Sequence, residues 1–187
     1  ARTREYIDII RQVLARENPV SNDGEHYPLP FTGEGSWGLG KPLKPIVHPL
    51  RADLPIMMGA EGPKNVALAA EIADGWLPLY YSPFRQDVYS ASLSNAKADF
   101  EVTQGLVVNI TDDEEKGLIP IKHMLALYIG GMGAKDRNFH KELIGRMGFE
   151  AEAEKIQDLY LAGKKDEAAM AVPTALADEI SLVGSVD

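Results

Sequence analysis

The chain is 187 residues long, 45% hydrophobic and free of cysteine, and its 28 acidic against 19 basic side chains give a formal charge of −9. That length and apolar content suffice for one domain with a buried core, while the acidic balance, without any block of lysines or arginines, argues against nucleic acid and anionic membrane as partners. Absence of cysteine removes disulfides, thiolate metal sites and cysteine nucleophiles, no apolar stretch reaches the roughly 18 residues of a membrane span, and no secretory signal is visible, so a soluble, cytoplasmic protein is expected.

Tyr6, Ile9, Ile10, Val13 and Leu14 fall at helical spacing and predict an amphipathic helix over residues 3–16 with one buried stripe and Thr3 as its N-cap. From Asn18 to Leu29 turn chemistry alternates with short extended pieces, which reads as a loop or small hairpin. Pro30, Pro42, Pro45 and Pro49, with Pro55 just beyond, then alternate with Gly33, Gly35, Gly38 and Gly40. This predicts a long irregular excursion, so that about residues 18–53 form a loop insertion in a single domain.

Residues 54–59 predict a short buried strand that includes Met57 and Met58. Pro63 suits the first turn of a helix, and Val66, Ala69, Ala70 and Ala73 continue it at helical spacing. Gly75 is expected to end that helix in the left-handed conformation, and residues 76–80 to return as a second strand. Strand, tight turn, helix and strand make a βαβ unit with parallel strands.

A polar segment from Ser82 to Ala98 is expected to contain a helix, and residues 100–110 a third, longer strand. Thr111 and Glu114 have capping-box spacing, and the acidic run from Asp112 to Glu115 suits the positive end of a helix dipole better than a metal. That helix should reach about Tyr128, with Gly117 and Pro120 weakening its first turns, and from Asn138 the pattern reads helical to the end. Phe139, Leu143, Ile144 and Met147 form one stripe and Ile156, Leu159 and Tyr160 another.

Two glycine strings mislead. GEGSWG over 33–38 and GSWGLGK over 35–41 approach nucleotide-binding patterns, but neither has a strand before it and a helix after it, and Pro42 stands where a magnesium-binding hydroxyl would be needed. His26, His48, His123 and His140 share no ligand spacing and read as loop or packing residues, with His48 kept in view. Trp37 and Trp76 could stack on a ligand, although a tryptophan beside a strand is more often core. No metal site is assigned.

The informative stretch is the handover GAEGP, residues 59–63. In a βαβ unit ligands gather at the carboxyl ends of the strands, where a helix N-terminus offers unpaired N–H groups and about half a positive charge to a phosphate or carboxylate. Gly59 and Gly62 would let such a ligand approach the backbone, or would simply make a tight turn. Spacing alone leaves both readings open.

The run GAEGPKNVALAAEIADGWLPLYYSP resembles the corresponding segment of the luciferase-like monooxygenase superfamily, in its deazaflavin (coenzyme F420)-dependent oxidoreductase branch. RTREYIDIIRQVL followed by GEHYPLP, then GLGKPLKPIVHPLRADLPI, TDDEE and LALYIGGMG, extend the resemblance over nearly the whole chain. It implies an α/β fold of the (β/α)8 TIM-barrel type, with the three strands as roughly the fifth, sixth and seventh and the others absent. A full barrel takes about 250 residues, so a partial barrel and a C-terminal-half fragment are expected; the start at ARTREY without methionine and the end at SLVGSVD agree.

The resemblance further implies that the turn after the fifth strand lies against the cofactor phosphate and ribityl region, which carries over to Gly59, Ala60, Glu61, Gly62 and Pro63. The end of the sixth strand adds Tyr81 and Ser82, with Arg85 behind them. Glu61 departs from the small residue of the family, and an acid beside a phosphate is unfavourable unless it points away. The implied chemistry is hydride transfer between coenzyme F420 and a small organic substrate, with catalytic residues in the missing early strands and none assigned here. An FMN-dependent monooxygenase and a non-catalytic partial-barrel binding protein are the alternatives. Relatives are commonly dimers, which makes a homodimer one assembly to expect.

Overall fold

A computed structural model describes residues 2–186; Ala1 and Asp187, the ends of the sequence reading, lie outside the described residues. The chain divides into two compact units, residues 1–56 and 57–187.

The first unit contains helix α1, Arg2–Ala15, and the irregular excursion after it. Thr3 lies within the first helical turn instead of capping it, because the helix already begins at Arg2. Of the expected stripe, Ile9, Ile10, Val13 and Leu14 are half-buried and Tyr6 is exposed, while Ile7 is the buried residue of the helix. Glu5 organises the following loop: one carboxylate oxygen accepts from the backbone N–H groups of His26 and Tyr27 and from the Asn22 side chain. Asn22 and Leu29 exchange backbone hydrogen bonds, which makes the expected hairpin, and Val20 pairs with Leu43. Beyond it Gly35, Gly38 and Gly40 take positive φ in a loop with neither strand nor helix, the context that the nucleotide patterns would need.

The second unit opens with the βαβ handover. Strand β1, Met57–Gly59, leads into helix α2, Pro63–Ile72, and strand β2, Gly75–Leu77, returns parallel to β1 with Met57 opposite Gly75. Pro63 takes the first helical position, with Gly62 as N-cap. Gly75 is not the left-handed stop that its place suggested: the helix ends at Ile72 with Ala73 as its C-cap, and Gly75 sits in the strand with ordinary φ. Its lack of a side chain answers a close approach, since a Cβ there would collide with the Met57 side chain and come within 2.7 Å of the Glu101 carbonyl oxygen. Met57 and Met58 are half-buried where burial was expected, because α2 is the helix that packs on these short strands.

Helix α3, Asp87–Leu93, follows within the polar segment. The single third strand expected over 100–110 is instead two: β3, Glu101–Val102, pairs parallel with β2, and β4, Val107–Ile110, leaves that sheet. Helix α4, Glu114–Gly130, starts three residues after Thr111, so the cap is Asp113, whose carboxylate accepts from the Lys116 N–H at 3.1 Å. Thr111 accepts from the Asp113 N–H and sets up that cap.

Helices α5 (Phe139–Ile144), α6 (Glu150–Leu161), α7 (Lys165–Met170) and α8 (Thr174–Glu179) complete the helical layer, α5 and α6 joined by a π-helical turn over Gly145–Phe149. Leu118, Ile121, Leu125 and Ile129 of α4 meet Leu143, Ile144, Met147, Ile156 and Leu176 in one buried cluster. Phe139 is half exposed and drops out of the stripe assigned to it. The chain is also not helical to its end: β5, Ser181–Gly184, pairs parallel with β4 along its whole length. Gly117 of α4 fits this arrangement, as a Cβ there would clash with Val183 of β5 and Thr111. Among the described residues the result is an α/β fold with two short parallel sheets and no closed barrel. Among the described residues no helix is long and apolar enough to cross a membrane.

Candidate functional site

The carboxyl ends of β1 and β2 carry the turn from Gly59 to Pro63 and the segment from Leu79 to Arg85. Three contacts from the chain itself set the turn. Trp76, 1% exposed, donates its indole N–H to the Ala60 carbonyl at 2.8 Å. Gly62 accepts the N–H groups of Asn65 and Val66 at 2.9 and 3.0 Å, which starts α2. Glu61 reaches across to β2's extension and accepts the Leu79 N–H at 3.0 Å. Trp76 is therefore core, as read, but its N–H also fixes the carbonyl of the turn.

Neither turn glycine is demanded by packing. A Cβ at Gly59 would meet nothing nearer than the Leu77 carbonyl at 4.0 Å, and one at Gly62 only the Phe139 ring at 3.8 Å. Gly62 has φ −75°, which any residue adopts. The fold would accept side chains at both positions, so their absence leaves the backbone before α2 open to a ligand.

Glu61 has a neighbour that spacing could not reveal. Its second carboxylate oxygen lies 3.7 Å from Nδ1 of His140 on α5. His140 sits edge-on to Tyr80 and Tyr128, with ring centroids 5.9 and 5.0 Å away, and Tyr80 stands edge-on to Tyr128. Among the described residues neither His140 Nδ1 nor the hydroxyl of Tyr80 has a hydrogen-bond partner, and both atoms are buried. Burial raises the Glu61 carboxyl above its ordinary range against the pull of the Leu79 N–H and Arg146, and it lowers the His140 imidazole. Tyr80 is pushed well above the usual phenol value, again by burial first. His140, Tyr80 and Tyr128 are absent from the residues that sequence reading assigned to the site, because they come from α5, the loop after β2 and α4.

Tyr81 stacks on Tyr89 at 5.2 Å and stands edge-on to Trp76. Ser82 and Arg85 are turned elsewhere. The buried Ser82 hydroxyl donates to Glu179 on α8 at 2.8 Å. Arg85 grips both oxygens of the same carboxylate at 2.7 Å, donates to the Met147 carbonyl and lies over the Phe149 ring. These bonds hold the Glu179 carboxyl below its usual range. The turn residues Gly59 to Pro63 and Tyr81 thus share one end of the sheet, while Ser82 and Arg85 fasten that end to α8.

The family model for luciferase-like monooxygenase matches residues 1–187. A Mycobacterium tuberculosis protein is 54% identical over 196 residues; its assigned name, coenzyme F420-dependent oxidoreductase, is itself provisional. The match covers all of this chain and 56% of that protein, so the chain spans little more than half the length of its curated relative. Among solved structures, the coenzyme F420-dependent tetrahydromethanopterin reductase from Methanopyrus kandleri superposes with TM-score 0.67 at 23% identity, over 96% of this chain and 49% of the reductase. An F420-dependent secondary alcohol dehydrogenase, in complex with an F420-acetone adduct, gives TM-score 0.52 at 13% identity over 98% and 48%. At these identities the two structures speak for the fold.

Proposed function

We propose, starting from a chain that belongs to the luciferase-like monooxygenase family, that its full-length parent is a coenzyme F420-dependent oxidoreductase and that the turn from Gly59 to Pro63 receives the anionic part of the cofactor. The observation that carries this reading is the open backbone before α2: two glycines without a packing reason, at the carboxyl ends of parallel strands, in front of a helix N-terminus. The residues fit the group in that no side chain obstructs the backbone before α2 and one oxygen of the nearby Glu61 carboxylate is engaged by the Leu79 N–H.

When bound, the deazaflavin would supply a ring carbon that exchanges a hydride with an organic substrate. The chain's own part is to hold and orient. The backbone of Gly59, Ala60, Gly62 and Pro63 lets an anion approach the start of α2, and the Trp76 to Ala60 bond fixes the turn. The stacked Tyr81 and Tyr89 pack on Trp76 and so support the residue that fixes the turn. Ser82 and Arg85 serve by holding the loop after β2 on α8, and no proton-transferring residue is assigned in this part of the protein. Substrate, dimerisation and a cytoplasmic location belong to this reading as expectations for the whole protein.

The test is a fluorescence titration of the full-length parent with coenzyme F420 and separately with FMN, repeated after Gly62→Asp. Micromolar binding of F420 alone, weakened by at least tenfold in the variant, supports the reading. Binding of FMN alone moves the chemistry to the monooxygenase reaction after which the family is described. Binding of neither leaves the non-catalytic partial barrel as the better account.

A further inference from the structure

An anion at the start of α2 would sit close to Glu61, the residue immediately before the N-cap, and a carboxylate there opposes it. The structure contains the means to cancel that charge. Glu61 is held on one oxygen by the Leu79 N–H, and its other oxygen faces the buried Nδ1 of His140, which has no other partner. A separation of 3.7 Å is too long for a hydrogen bond and short enough to become one by a small ring rotation.

We propose that His140 is a positioning residue for the cofactor's anionic group: when that group occupies the turn, the Glu61–His140 pair takes up one proton from solvent, held on Nδ1 facing the Glu61 carboxylate. The inference rests on the turn being the anion site. With the proton in place the pair is neutral overall, and the turn presents only helix N–H groups to the ligand. Without it, the pair carries one negative charge beside the bound anion.

Other charged groups around the pair do not substitute for His140. Arg146, from the π-helical turn, acts on Glu61 through space. Tyr80 from the loop after β2 and Tyr89 from α3 are phenols held above their ordinary range by burial, and Tyr128 from α4 stands edge-on to the imidazole. Lys141, next to His140, is engaged with Gln157 and Glu154, each within 2.8 Å. Lys64, in the first turn of α2, is exposed to solvent. His140 is the group within reach of Glu61 that can change charge near neutral pH.

Calorimetric titration of the full-length parent with coenzyme F420 tests this, in two buffers of different ionisation enthalpy at several pH values between about 6 and 8. Ionisation of the ligand itself is common to all variants and cancels in their differences. The wild type should take up a fraction of a proton on binding that His140→Gln and Glu61→Gln both lack. Its affinity should fall with rising pH about three- to tenfold more than that of either variant. Glu61→Gln, which keeps an acceptor for Leu79, should bind at high pH at least as tightly as the wild type. Equal proton uptake in wild type and His140→Gln overturns the proposal and leaves the cofactor reading standing. Unchanged affinity in Gly62→Asp, or no binding by the wild type, overturns the reading of the turn and the proposal with it.

Discussion

Gly59 and Gly75 bracket the same βαβ unit and differ in what surrounds them. At Gly75 a methyl group would collide with Met57 and stand 2.7 Å from a backbone carbonyl of β3, which cannot yield without parting the strands. At Gly59 the nearest atom is 4.0 Å away. Gly75→Ala should therefore cost about 1–3 kcal/mol in urea unfolding of the full-length protein, the usual range for overpacking. Gly59→Ala should stay within about 0.5 kcal/mol of wild type and lower cofactor affinity. If Gly59→Ala is instead the destabilising change, the turn glycine is there for the fold and the ligand argument loses its support. Trp76 shows the same separation of roles: its apolar ring explains its burial, and its N–H explains the shape of the turn.

Between elements, the strongest polar tie is the one from the loop after β2 to α8. Arg85 and Ser82 both bond Glu179, which is 94 residues from Arg85 along the chain. Because these bonds depress the Glu179 carboxyl below its unfolded value near 4.5, the stability they add is present above that pH and is lost as pH falls through the folded value. Glu179→Gln should be less stable than wild type by about 1 kcal/mol at pH 7. The gap should begin to narrow below about pH 4.5, where the carboxyl of the unfolded wild type protonates, and go on narrowing as pH falls through the lower folded value. Parallel unfolding curves at pH 7 and pH 4 measure it, and a gap that does not change with pH would remove the charge from the explanation. The same contacts show why the family resemblance alone could not assign Arg85. A guanidinium at the end of a strand suits a phosphate in sequence, whereas here it is already paired, bonded to Met147 and covered by Phe149.

On the scale of the molecule, the β4–β5 sheet carries exposed apolar residues among the described residues. Val107, Val108 and Ile110 of β4 and Leu182 of β5 are between 39 and 69% exposed. Successive residues of a strand point to opposite faces, so Val108, Ile110 and Leu182 share one exposed face while Val183 on the other packs against α4, and strands exposed in this way invite association. The chain spans 56% of the length of its curated relative, which leaves a segment of that protein available to cover them. The 187-residue chain produced alone should associate with rising concentration in sedimentation velocity, and the full-length parent should sediment as one discrete species. A monodisperse, monomeric short chain would mean that these faces need no cover.

Residues whose cause is local could be read from the sequence. Pro63 opening α2, the parallel βαβ unit, the acidic start of α4 and the hairpin after α1 all follow from turn chemistry and periodicity within a few residues. The turn itself is read the same way, from two glycines and a proline between a strand and a helix, although spacing alone leaves a ligand site and a simple tight turn equally open. What the sequence did not disclose depends on partners far along the chain. β4 lies inside the strand expected over 100–110, but β5 was expected to be helical, because its four residues read as a strand only beside a partner about 70 residues away. The reason for Gly75 lies in the close approach of Met57 and Glu101, which no local pattern encodes. His140, one of four histidines without spacing, became a partner of Glu61 only because α5 brings it there between two tyrosines. Local chemistry fixed where the backbone opens, and the three-dimensional packing of distant helices decided which charges face the opening, because electrostatic interactions act through space and carry no period along the chain.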